Sequence, residues 1–170
     1  MTHTAGGSGR SATPLVAALG DPNRHDFGAG PAVLAHLAGR GLDVTLVSCD
    51  LDSTQSADFW RGHDPTILVE PVSAEPCHPG RVHQLVAARP GGGRLLVFAV
   101  EMGETTDGVG LSPAVAAGAR RAANAIAAEI GAAEIATAET TGTYTPPVRL
   151  RTFAFGGTVR LLSTRSARRR

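Results

Sequence analysis

Residues 14–38 constrain the fold more than any other stretch. Leu15 to Leu19 is a short apolar run with the length and character of a buried strand. Gly20, Asp21, Pro22 and Asn23 follow at once, and all four are turn formers. Gly30 and Pro31 stand where a helix N-cap and first helical residue belong, and Val33, Leu34 and Leu37 then recur at helical spacing. The order expected is strand, polar loop, helix. In an open α/β sheet, ligands bind in the crevice beyond the carboxyl ends of the strands. Asp21, His25 and Asp26 lie on the loop that borders such a crevice.

The pattern repeats downstream. Gly39, Arg40 and Gly41 stop the helix. Asp43 to Ser48 reads as a second buried strand, rich in β-branched residues. Asp52 or Ser53 is the expected cap of a short helix through Ala57, Phe59 and Trp60. Thr66 to Val69 is a third strand with Glu70 at its tip, and Pro71 to Gly80 reads as irregular because Pro71, Pro76 and Pro79 crowd together. Arg81 to Val86 alternates polar and apolar residues as an edge strand does, and Leu95 to Val100, the most apolar run, belongs inside the sheet. A loop with Glu101, Glu104 and Asp107 follows. Ser112 and Pro113 then open a helix with Val115, Ala119, Ala122, Ala123, Ile126 and Ile130 on one face, and Gly131 is its expected stop. Strands alternating with helices at these spacings predict an α/β fold, a three-layer α/β/α sandwich with a mostly parallel central sheet. The acids Asp21, Asp26, Asp50, Asp52, Glu70 and Glu101 are expected to gather at its carboxyl edge.

Around this domain, residues 14–131, the sequence changes character. Residues 1–13 are rich in Gly, Ser and Thr and read as a disordered lead-in without a signal-peptide core. Residues 132–170 read as a weakly structured Arg-rich extension, with a hairpin around Gly156-Gly157 or none. The chain has no Lys, and Arg149, Arg151, Arg160, Arg165, Arg168, Arg169 and Arg170 close it without an acid among them. The body before them sets nine Arg against all 15 acids, so an acidic domain carries a basic tail. Such a tail either frays in solvent or binds an acidic partner, nucleic acid among them. No apolar run has the ~18–20 residues of a membrane helix, so the expected location is the cytoplasm, away from any membrane. Two cysteines, Cys49 and Cys77, make no disulfide framework.

Several chemistries are absent. Without Lys there is no Walker A loop, and Gly28-Ala-Gly30 lacks the third glycine of the dinucleotide fingerprint. No Gly-x-Ser-x-Gly elbow occurs, and neither cysteine has zinc-ribbon spacing. What remains is acids and histidines on loops. Glu70 and Asp26, with a histidine such as His78, offer the oxygen and nitrogen donors that suit a divalent transition metal such as nickel or zinc.

The order of these features resembles the hydrogenase maturation proteases, nickel-recognising endopeptidases that trim the C-terminus of the hydrogenase large subunit. That family's first strand leads into Gly-Asn-Pro-x-x-x-Asp-Asp/Glu-Gly-x-Gly-Pro, and the corresponding run here is Gly20-Asp-Pro-Asn-Arg-His-Asp26-Phe27-Gly28-Ala-Gly30-Pro31. Its third strand ends in a Val-Asp-Ala-like motif with Pro-Gly further on, matched by Val69-Glu70-Pro71-Val72 and Pro79-Gly80. Its late strand, acid-bearing loop and Leu-Ser-Pro helix start match Val97 to Glu101 and Leu111-Ser112-Pro113. The resemblance runs from residue 14 to about residue 131. It implies a metal-dependent endopeptidase acting on a hydrogenase large-subunit precursor, with nickel carried by that precursor as the cofactor.

The resemblance also implies three metal-facing side chains, of which one carries over. The acid at the third strand tip is Glu70. The second acid of the first loop is here Phe27, with Asp26 one residue earlier as a substitute. The family's histidine lies between the fourth and the late strand, where this chain has only Ala87–Gly93 and no histidine; His78 or His83 is left to fill that place. The alternative is a member that has shed its chemistry and serves as a binding or chaperone module for a partner protein. A third reading is an unrelated α/β domain that binds a small molecule.

Overall fold

A computed structural model describes residues 12–138. Strands β1 (Thr13–Ala18), β2 (Thr45–Ser48), β3 (His63–Val72), β4 (Val82–Ala88) and β5 (Arg94–Glu101) form one sheet in the order β2-β1-β3-β5-β4. All neighbours run parallel except β4, which returns antiparallel along β5 through the tight turn at Arg89–Gly93. Helices α1 (Ala29–Ala38) and α4 (Pro113–Ala138) cover one face. The one-turn helices α2 (Leu51–Thr54) and α3 (Ala57–Trp60) cover the other, where Trp60 is fully buried and donates its indole N–H to the carbonyl of Thr54 at 2.8 Å. This is the three-layer α/β/α sandwich expected from the sequence.

Two apolar clusters sandwich the sheet. Val16, Ala18, Ile67, Val69, Leu96, Phe98 and Val100 meet α1 and α4. The alternating residues Leu15, Ala17, Leu68, Leu85, Leu95 and Val97 meet Trp60. The α4 stripe of Val115, Ala119, Ala122, Ala123, Ile126 and Ile130 has no exposed surface at all, so its 3.6-residue period does seat one face on the core. β5 is buried from Leu95 to Glu101, as its apolar run requires.

Several boundaries differ from the sequence expectation. β1 already includes Thr13. A 3₁₀ turn at His25–Gly28 precedes α1, so Gly28 is its N-cap and Pro31 its third residue. Pro is tolerated there because first-turn N–H groups have no intrahelical acceptor. β2 is a half-buried edge strand. The cap of α2 is Asp50, whose Oδ1 accepts the Ser53 N–H at 2.7 Å, and α3 is a separate turn. Gly131 does not end α4, which continues to Ala138; one glycine costs only about 1 kcal/mol in an alanine-rich helix. The expectations for residues 1–11 and for residues 139–170, the Arg-rich segment with its hairpin, lie outside the described residues.

β3 is longer than expected at its carboxyl end, because Pro71 and Val72 belong to it. The Val69 carbonyl accepts the Leu19 N–H at 2.9 Å, so main-chain groups of Val69 and, two residues on, Pro71 face the β1 side. β1 has ended there, and no acceptor waits for the N–H that Pro71 lacks. On the other side the ladder with β5 continues to Val72.

Candidate functional site

Three buried acids mark the carboxyl edge of the sheet: Asp26, Glu70 and Glu101. Each has a different environment, and the differences separate their roles.

Asp26 fastens two loops together. Its Oδ2 accepts the main-chain N–H of Gly103 at 3.1 Å and of Glu104 at 3.0 Å, with the Ser112 hydroxyl at 3.0 Å. Its Oδ1 accepts the Ser112 N–H at 2.7 Å. Burial works to raise its pKa, but these donors outweigh it and hold the carboxyl below the ordinary value. Main-chain bonds add to the seam: His25 N–H to Gly108 O, Asp26 N–H to Glu104 O, and Gly108 N–H to Asn23 O. His25, at φ 42°, also places Nδ1 3.1 Å from the Gly110 carbonyl. The loop after β1 and the loop after β5 are thereby one unit. Asp21 turns inward on its own loop, with Oδ1 accepting the Asn23 N–H at 2.9 Å.

Glu70 is the opposite case. It lies just past the end of β1, is 5% exposed, and has no hydrogen-bond partner among the described residues. Burial alone pushes its pKa up to about 7. A carboxyl kept in such a place without partners is unfavourable for folding, and perturbed acids of this kind concentrate at functional sites.

Glu101 is fully enclosed and fully used. Oε1 lies 2.7 Å from His83 Nε2, and Oε2 accepts the His78 N–H at 2.6 Å, with the Arg81 guanidinium 3.9 Å away. Burial works to raise its pKa, but the His83 and His78 hydrogen bonds and the cationic neighbours bring it below the usual carboxylate value. The loop between Val72 and Gly80 is pinned on this residue, since the Gly80 N–H also reaches the Glu101 main-chain carbonyl at 2.7 Å.

The structure therefore places Glu70, Asp26 and His78 on the same edge but not as one ligand set. Among the described residues, no group of three or more His, Cys, Asp or Glu side chains can hold a metal ion. Both Asp26 oxygens are engaged by the loops. His78 gives Glu101 its main-chain N–H, while its half-exposed ring turns to the Pro76 carbonyl at 3.1 Å. Cys77 is exposed and donates to the Met102 carbonyl. Phe27, next to Asp26, lies under the Arg24 guanidinium, 5.4 Å from its ring centre. The His83–Glu101 pair is what the sequence reading did not assemble. Its signal was present, since Leu85 is a core residue and His83 two positions earlier shares its face, but the register of β4 on β5 was not.

No protein-family model and no curated protein matches the chain. Solved structures do, and they define the fold class as that of the hydrogenase maturation proteases. The NiFe hydrogenase maturation protease HybD from Thermococcus kodakarensis superposes with a TM-score of 0.60 at 18% identity, over 69% of this chain and 98% of that one. A hydrogenase 2 maturation peptidase from Thaumarchaeota archaeon SCGC_AB-539-E09 gives 0.60 at 17% identity, over 70% and 98%. The hydrogenase maturating endopeptidase HybD from E. coli gives 0.56 at 17% identity, over 71% and 93%. No helix among the described residues is long and apolar enough to cross a membrane.

Proposed function

We propose that this chain is a processing endopeptidase of the hydrogenase-maturation type, acting on a nickel-bearing large-subunit precursor in the cytoplasm. Glu70 carries the reading: a carboxyl 5% exposed, with its pKa raised by burial and no hydrogen bond among the described residues, at the carboxyl edge of a sheet whose fold is shared with maturation endopeptidases. In this reading nickel arrives as part of the substrate, and Glu70 is the side chain that meets it. A metal held against the scissile peptide polarises its carbonyl or activates water. Asp26 acts at one remove, by fixing the two loops that border Glu70. The chemistry of the donor set supports a substrate-borne ion better than a resident one, because the described residues provide no three-ligand group. The test is cleavage of a nickel-loaded precursor by the full chain, with Glu70→Gln alongside. Cleavage lost in the folded variant supports the reading; no cleavage by the unaltered chain, beside a competent control protease, rejects it.

Phe27 and the histidine-free turn at Arg89–Gly93 favour a second reading, a binding or chaperone module that has kept the fold without the chemistry. Precursor binding without cleavage, unchanged by Glu70→Gln, is its signature.

A further inference from the structure

Charge is divided unevenly between the two edges of the sheet. At the amino edge, Asp43, Asp58 and Asp64 are matched by Arg40, Arg61, Arg89 and Arg94. At the carboxyl edge, the segments after β2, β3 and β5 expose Asp50, Asp52, Glu75, Glu104 and Asp107, and the cations there among the described residues are Arg24 and Arg81. Arg24 is turned to the Phe27 ring and the Thr105 carbonyl, and Arg81 to Glu101. None of the five exposed acids has an ion-pair partner among the described residues. The same edge carries the exposed large hydrophobics of the described residues, Leu51 and Val109. Leu51 lies between Asp50 and Asp52. Val109 follows Gly108, whose N–H and carbonyl are both bonded to the first loop, so its side chain is presented on a fixed turn. Glu70, buried and without a hydrogen bond among the described residues, lies at this edge past the end of β1. A partner that fits such a surface brings cations and apolar side chains together.

Residues 149–170 have that chemistry, with seven Arg and no acid interleaved with Leu150, Phe153, Phe155, Val159 and Leu161. α4 starts beside Ser112, which Asp26 holds at the carboxyl edge, and its 26 residues lead away from that edge over roughly 39 Å. Residues 139–148, fully extended, span roughly 35 Å, which brings Arg149 back to the carboxyl edge. We propose that residues 149–170 dock on the carboxyl edge of their own chain, arginines against Asp52, Glu75, Glu104 and Asp107 and apolar side chains against Leu51 and Val109. Exposed ion pairs are weak singly and screened by salt, so the contact depends on several acting together. A partner that engages this edge has first to displace the segment. The docking is independent of the processing reading, since it requires neither nickel nor cleavage.

The test uses the full chain, labelled with 15N, carrying Cys49→Ser and a nitroxide on Cys77, which is exposed in the loop after β3. At low salt the nitroxide broadens the amide signals of residues 149–170 and spares those of residues 41–43 at the amino edge. The broadening falls severalfold in about 1 M salt, where the Debye length is about 3 Å, and equally in the triple variant Asp52→Asn, Glu104→Gln, Asp107→Asn. A second triple variant, Asp43→Asn, Asp58→Asn, Asp64→Asn, removes as much charge from the amino edge and leaves the broadening unchanged. No broadening in the parent, or broadening undiminished in the first triple variant, overturns the proposal. So does broadening that appears only when a nitroxide-bearing chain without 15N is mixed with a 15N chain without nitroxide, which makes a second copy the occupant. Signals of residues 149–170 that escape the nitroxide and move only with added single-stranded RNA overturn it in favour of nucleic acid. No precursor enters the experiment, so its failure leaves the processing reading standing.

Discussion

Asp26 and Ser112 are bonded twice, the Ser112 N–H to Oδ1 at 2.7 Å and the Ser112 hydroxyl to Oδ2 at 3.0 Å, across 86 residues of sequence. Ser112 is also the residue before Pro113, where α4 begins, and its hydroxyl faces the Val115 N–H at 3.5 Å. One carboxylate thus ties the start of the last helix to the first loop.

Asp26→Asn is therefore expected to destabilise the chain by about 2–3 kcal/mol, the scale of hydrogen bonds to a charged group left badly paired. The folded carboxyl has a depressed pKa, so its contribution is complete above the ordinary value of 3.8 and disappears as pH falls through the folded value. Denaturant unfolding across pH 2–7 checks this, as the acid decline specific to Asp26 is absent from the variant.

Glu70 has the reverse sign. Its folded pKa of about 7 lies above the ordinary 4.5, so its proton is retained on folding and its penalty appears as pH rises between those values. Glu70→Gln should match the parent near pH 4 and exceed its stability at pH 8, by up to on the order of 3 kcal/mol. Melting temperatures at the two pH values decide it. A stability gain coupled to lost cleavage marks an acid kept for chemistry.

Glu101→Gln keeps the shape but not the charge. Its expected cost is about 2 kcal/mol, felt first in the loop after β3. Amide hydrogen exchange should accelerate at His78, whose N–H the carboxylate receives, well before it does in the interior of β5.

Gly118→Ala runs against helix propensity, which favours Ala by about 1 kcal/mol. A Cβ at 118 would collide with the Gly80 backbone, and one at Gly80 would collide with the Ala114 carbonyl. The Arg121 guanidinium also donates to the Gly80 carbonyl at 2.8 Å. We expect a lower melting temperature for Gly118→Ala and a higher or unchanged one for Ala at Gly131, where nothing stands within reach.

The sheet was legible in the sequence because burial imposes a period. The apolar run in β5, the alternation in β4 and the Ala/Ile/Val stripe of α4 each report a face. Pro71 was misjudged because a proline's place in a sheet depends on which neighbour has already ended, which the local sequence does not encode. The candidate site was half legible. Glu70 followed from its place after an apolar strand. Asp26 was singled out as a ligand, while its four hydrogen bonds come from residues at least 77 positions away. The His83–Glu101 contact depends on strand register, a tertiary property.

Pro71 leaves the last stretch of β3 supported along one side. The main chain at Glu70 is held there by backbone pairing with β5, which is indifferent to the side chain at that position. The fold would in fact be easier to maintain with a neutral residue in its place. Substitutions at position 70 among descendants of this chain are therefore a record of selection on chemistry: drift towards glutamine or an apolar residue would show that the demand for a carboxylate had been released, and persistence of an acid would show that it had not.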